Sequence, residues 1–130
     1  CGLIFGSFGF ALNLSLVSSY SSRDIISFDI NESRIQDLVN FNDKTREVTN
    51  DQLKAIADKI VFTSDIDILK RANVYIVTVP TPIDDNNLPD MTPLIKASQM
   101  ISQVLKKDDI VIYESTVYPG ATEEVCVPEL

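Results

Sequence analysis

Residues 74–79 read VYIVTV, a run of β-branched and aromatic residues with no charge among them. Such residues fit a pleated, buried surface. A strand with one face in water alternates apolar and polar positions, and this run does not. Apolar residues on both faces suit a parallel sheet covered by helices above and below. The neighbouring segments test that reading.

Downstream, Pro80, Pro82, Asp84, Asp85, Asn86, Asn87 and Pro89 make a loop. Thr92-Pro93 then reads as a helix start, with Thr92 as the cap and Pro93 at the first helical position. Leu94, Ala97, Ile101, Val104 and Leu105 keep the helical period. Asp109–Tyr113 reads as another strand, and Pro119-Gly120 turns the chain into a last helix from about Ala121 to Pro128. Upstream, Asp65–Lys70 reads as a short helix and Ile60-Val61-Phe62 as a strand. Thr49 and Gln52 form a capping-box pattern ahead of inward-facing Leu53, Ile56 and Ala57. Asn31 is placed to cap a helix carrying Ile35, Leu38 and Val39 on one face. Asp24–Asp29 is a strand closing on an acid, Ala11–Tyr20 a serine-weakened helix, and Leu3-Ile4-Phe5 the first strand.

Strand and helix alternate throughout. The expected fold is α/β: a Rossmann-like, doubly wound, mainly parallel sheet with helices on both faces, built from right-handed crossovers. Residues 1–130 read as one domain. There is no repeat or linker, and a start at Cys1 rather than Met marks the chain as one domain of a longer protein.

Composition narrows the function. Eleven basic against nineteen acidic residues give a net charge of −8, which disfavours nucleic acid or an anionic membrane as partner. No apolar run approaches the roughly 20 residues needed to span a bilayer. With no His, and with Cys1 and Cys126 far apart, no zinc site or His-based triad is expected. The cysteines read as small buried residues of a reducing compartment.

Ligands of a parallel sheet bind beyond the carboxyl ends of its strands. Four segments lie there. The first is GSFGFA, residues 6–11, in the place of a glycine-rich phosphate turn. The second begins at Asp29, whose carboxylate can accept hydrogen bonds from a ribose hydroxyl pair and would repel a 2′-phosphate, favouring NAD over NADP. The same acid could instead serve the dipole of the next helix. Arg34, one helical turn on, could stack on adenine or touch the ribose, or be a solvated helix residue. The third segment is Val79-Pro80-Thr81-Pro82, where flanking prolines fix the direction of the Thr81 hydroxyl. The fourth, residues 114–120, carries Glu114, Ser115 and Thr116. There a Glu114 carboxylate could hold a water or sugar hydroxyl, or cap the following turn.

FDINESRI, ADKIVFTSDIDILKRANVYIVTVPTPIDDNNLPDMTPLIKAS and LKKDDIVIYESTVYPGATEEVCVPEL closely resemble the amino-terminal domain of the UDP-glucose/GDP-mannose dehydrogenase family. The resemblance runs over about Ile25–Leu130. YIVTVPTPID and VIYESTVYPGATEE look most like the branch that oxidises UDP-N-acetylhexosamines. It implies NAD as cofactor, with Gly6, Gly9, Phe10, Ala11, Asp29, Arg34, Val79, Pro80, Thr81, Ser115 and Thr116 around it. Thr116 and Glu114 would assist at the reacting end. The family's turn reads GLGYVGLPLA. Gly6 matches its first glycine, Phe8 replaces the second and Ala11 the third. A one-residue shift would instead pair Gly6 with Gly9.

The implied activity is oxidation of a sugar C6 alcohol to a carboxylate for capsule or O-antigen polysaccharide, by a cytoplasmic homodimer. The family's nucleophilic cysteine, lysine and aspartate lie in a second half beyond these residues, and Cys126 falls at a packing position. Two rivals stand beside this reading. One is a UDP-glucose or GDP-mannose dehydrogenase domain. The other, suggested by Phe8, is a degenerate domain that keeps the fold without NAD and acts as an interaction module.

Overall fold

A computed structural model describes residues 2–5, 25–83 and 88–130. Five strands form one parallel sheet: β1 (Gly2–Phe5), β2 (Ile25–Phe28), β3 (Ile60–Thr63), β4 (Val74–Val77) and β5 (Ile110–Tyr113). Their order is β3-β2-β1-β4-β5. The chain therefore builds outward from β1 in one direction and then in the other. The register pairs Leu3 with Ile26 on one side and Tyr75 on the other. Beyond the carboxyl end of β1, between β2 and β4, lies the switch point where such sheets take ligands.

The pleat sends successive side chains to opposite faces, and both faces are packed. Ile26, Phe28, Tyr75 and Val77 join Leu94 and Ile101 of helix α3 (Thr92–Ser102) and Cys126 in the larger core. Ile25 and Ile60 pack on the other face with Leu38 of helix α1 (Glu32–Val39) and Leu53 and Ile56 of helix α2 (Asn50–Ile56). The doubly wound parallel fold expected from the alternation is the one observed.

Local signals explain most boundaries. The Asn31 side chain accepts the Arg34 N–H and starts α1. The Thr49–Gln52 capping box closes in both directions. Gly120 occupies the left-handed region (φ 92°) at the turn before the final segment.

Four details depart from expectation. Strand β4 stops at Val77 rather than Val79, because Pro80 has no N–H to carry the ladder onward. Helix α3 starts at Thr92 with Pro93 second, because Asp90 Oδ1 takes the Thr92 N–H at 2.9 Å and assumes the capping role. Residues Ile66–Arg71 wind as a 3₁₀ helix capped by Asp65, not as an α-helix. The final segment is a π-type turn (Thr122–Cys126) followed by a 3₁₀ turn (Val127–Glu129) that contains Pro128 near its start, where a missing N–H costs nothing. The expected helix Ala11–Tyr20 lies outside the described residues.

Candidate cofactor site

Asp29 follows the last residue of β2 and is 8% exposed. Its N–H continues the ladder to Thr63 O (3.2 Å). Its Oδ1 accepts the Asn31 N–H at 2.8 Å, and Asn31 in turn caps α1. The carboxylate thus shapes the entry to α1 and also lines a cavity of about 340 Å³. Its bond at the entry to α1 and its place on the cavity lining belong to one geometry. Val79 and Pro80, beyond β4, line the same cavity. Its remaining polar lining comes from Asp90, Thr92 and Lys96 at the start of α3.

Thr81 comes next. Its Oγ1 is buried and has no hydrogen-bond partner among the described residues. Nearly all buried polar atoms in folded proteins are paired, so this hydroxyl, one residue past the cavity-lining Pro80, is available to a partner from outside the described residues. Ser115 serves a different end: its Oγ donates to Val79 O at 2.8 Å and ties the loop after β5 to the loop after β4. Thr116 is exposed on that loop. Glu114 is exposed too; its N–H donates to Val77 O (2.8 Å), and its carboxylate is not enclosed. Gly6, Phe8, Gly9, Phe10 and Ala11 lie outside the described residues.

Arg34 is neither solvated nor part of the cavity lining. Its side chain is 9% exposed, with Nη1 2.7 Å from Asp43 Oδ1 and Nη2 donating to Thr45 Oγ1 (3.2 Å). Asp43 is the hub of the loop between α1 and α2. It accepts the Thr45 hydroxyl (2.7 Å) and the N–H groups of Thr45 (3.1 Å), Glu47 (2.8 Å) and Val48 (3.1 Å). Burial works against its charge, but the bonds from Thr45, Arg34 and the backbone prevail and bring its pKa down to about 2.

Asp90 was read from sequence as neither site residue nor cap, and Lys96 went unremarked. A usable signal existed. The helix after a central parallel strand begins at the carboxyl end of the sheet, so its first turns face the crevice. Asp90 is held below the usual carboxylate range by its bonds to Thr92, with the Lys96 ammonium adding to the effect. Among the described residues, no helix is long and apolar enough to cross a membrane.

This geometry fits a nucleotide cofactor. An acid follows β2, an apolar Val-Pro step lies just beyond β4, and one cavity joins them. Comparison with known proteins agrees. Residues 4–129 match the UDP-glucose/GDP-mannose dehydrogenase family, NAD binding domain. UDP-N-acetyl-D-glucosamine 6-dehydrogenase of Pseudomonas aeruginosa is 57% identical over 108 residues, covering 83% of this chain and 25% of that protein. Protein CapL of Staphylococcus aureus is 56% identical over 110 residues, covering 85% and 26%. The chain thus spans about a quarter of the length of these relatives. Among solved structures, a UDP-D-ManNAc dehydrogenase from Pyrococcus horikoshii superposes with a TM-score of 0.86 at 25% identity, over 99% of this chain and 32% of that one. By sequence match and by fold, the chain belongs to the UDP-glucose/GDP-mannose dehydrogenase family and corresponds to its NAD-binding domain.

Proposed function

We propose that this domain holds NAD for an enzyme that oxidises the C6 alcohol of a UDP-N-acetylhexosamine to the uronic acid, for capsule or O-antigen polysaccharide. The observation that carries the reading is the Asp29 carboxylate at the end of β2, lining one cavity with Val79 and Pro80. The high identity to a UDP-N-acetyl-D-glucosamine 6-dehydrogenase supports the choice of sugar.

Bound NAD supplies the hydride acceptor. The residues of this chain do the positioning. Asp29 accepts hydrogen bonds from the adenosine ribose hydroxyls, and its charge repels a 2′-phosphate. Val79 and Pro80 offer an apolar wall. The Thr81 hydroxyl gains the partner it lacks by facing the nicotinamide side, where Thr116 lies on the adjoining loop. Ser115 keeps those two loops in register through Val79 O. Gly6, Gly9, Phe10 and Ala11 belong to the turn assigned to the pyrophosphate, while Arg34 braces the loop after α1 through Asp43 rather than reaching adenine. Glu114, exposed at the mouth, is an auxiliary group.

Cys126 is not the nucleophile. It is 1% exposed in the core, and burial pushes its thiol pKa up, away from the reactive thiolate. The covalent chemistry belongs to residues beyond this chain. The intact enzyme is read as a cytoplasmic homodimer that takes a nucleotide sugar and no nucleic acid.

Calorimetric titration of NAD and NADP into the intact enzyme tests this. NAD is expected to bind and NADP not. Asp29→Asn keeps an acceptor for the Asn31 N–H and is expected to lose about tenfold in NAD affinity, the scale of one charge-assisted hydrogen bond. A silent native protein that Phe8→Gly restores would instead support a dehydrogenase fold that has lost its cofactor. Turnover with UDP-glucose alone would overturn the choice of sugar.

A further inference from the structure

Asp29 accounts for only one wall of its cavity. The rest of the lining runs from Asp90 along α3 as far as Met100. The apolar lining there is Pro93, Ala97 and Met100; beside Asp29 it is Ile30, Val79 and Pro80. Ile30 is 71% exposed, so the core does not account for its side chain. An apolar lining of this kind suits a flat aromatic ring. At the edge of this slot sit a carboxylate, Asp90, and an ammonium, Lys96. They lie close enough for Lys96 to help hold down the Asp90 carboxyl. Asp90 is also fixed in place: its N–H donates to Pro82 O (2.7 Å) and its Oδ1 accepts the Thr92 N–H (2.9 Å). Lys96 is exposed, and its ammonium carries three donors.

An acceptor beside a donor is a pattern that a nucleobase edge can match. Adenine presents an amino donor next to ring-nitrogen acceptors, whereas hypoxanthine places a carbonyl acceptor where the amino group stood. We propose that Asp90 and Lys96 read the adenine edge of the cofactor, with Asp90 accepting from the amino group and Lys96 donating to a neighbouring ring nitrogen. The inference rests on the NAD-binding reading and adds base selectivity to it. Asp29 would then choose between NAD and NADP at the ribose, and the Asp90–Lys96 pair would choose the base.

The test is calorimetric titration of the intact enzyme with NAD, nicotinamide hypoxanthine dinucleotide, ADP-ribose and nicotinamide mononucleotide. The native protein is expected to prefer NAD over the hypoxanthine dinucleotide by about tenfold or more. Asp90→Asn retains a good capping side chain but can turn a donor toward a carbonyl, so it should narrow that preference to near unity without loss of thermal stability. Lys96→Met should weaken NAD and ADP-ribose by about tenfold and leave nicotinamide mononucleotide unchanged, and Lys96→Arg should recover most of the loss. Native NAD binding with both variants keeping the native base preference and affinity would overturn this inference alone. A native protein silent toward NAD would overturn the underlying reading with it.

Discussion

The two ends of the parallel sheet treat their polar groups in opposite ways. At the amino end, the Tyr75 hydroxyl is enclosed and lies 3.2 Å from Leu69 O and 3.4 Å from both Ala72 O and Val104 O. Its one proton can serve only one of these at a time, but it is never without an acceptor. Close by, Lys106 Nζ donates to Lys70 O (2.7 Å) and Ala72 O (2.8 Å), closing the end of the 3₁₀ helix. The backbone N–H of Lys106 is taken by Asp109 Oδ2 (2.9 Å). At the carboxyl end the Thr81 hydroxyl is buried and unmatched among the described residues, Asp29 opens onto a cavity, and the apolar Ile30 side chain stands in solvent. One end is satisfied by the chain itself. Among the described residues the other end is left with polar groups unmet, and that asymmetry is compatible with a binding end.

The Asp43 carboxylate is met on every side by the chain, although the buried Nε of Arg34 has no partner among the described residues, and breaking this cluster should have the largest effect. Asp43→Ala would leave the Arg34 guanidinium buried without its carboxylate and free the N–H groups of Thr45, Glu47 and Val48. We expect a loss of about 3–5 kcal/mol in denaturant unfolding, the scale for removing one partner of a buried ion pair. The same cluster should show in the pH profile. A folded pKa of about 2 against an unfolded value near 3.8 means the contribution is fully present above pH 4 and fades as pH falls through 4 toward 2. Its size is about 2 kcal/mol, and acid titration of stability in Asp43→Ala should lack that component.

Smaller effects sharpen the contrast between the sheet ends. Tyr75→Phe removes a buried hydroxyl from its acceptors and should cost about 1–2 kcal/mol in thermal or chemical unfolding. Lys106→Met, whose ammonium end is half in water, should cost about 1 kcal/mol and leave NAD affinity unchanged. Thr81→Val is the decisive comparison. Its shape is retained and an unpaired hydroxyl is lost, so stability should hold or rise by up to about 1 kcal/mol while NAD binding weakens. If Thr81→Val destabilised the domain as much as Tyr75→Phe, the hydroxyl would have an internal partner and the two ends would not differ as described.

Much of the fold was legible because its signals are local. The unbroken apolar run at 74–79 implied a covered parallel strand, Asn31 and the Thr49–Gln52 pair announced their helices, and Asp29 at a strand end marked the crevice. Misplaced details share a cause. Thr92 has the residue type of a cap, yet it is the first residue of the helix, and Asp90 two positions earlier accepts its N–H. Glu114 looked enclosed at a strand end, but nothing in the described structure covers it. Arg34, one turn from Asp29, is paired with a carboxylate of the following loop, a partner that its neighbours in sequence do not announce.

By itself, then, the sequence determined the alternation of strands and helices, the parallel sheet, the family, and the end of the sheet where chemistry belongs. Periodicity, capping and strand-end chemistry act over a few residues, so they survive reading along a line. Only the tertiary structure decided which distant side chains share a space: Asp29 with Asp90 and Lys96 around one cavity, and Arg34 with Asp43. Those outcomes follow from how helices pack across a twisted sheet. Such packing sums many weak long-range contacts that no short stretch of sequence records.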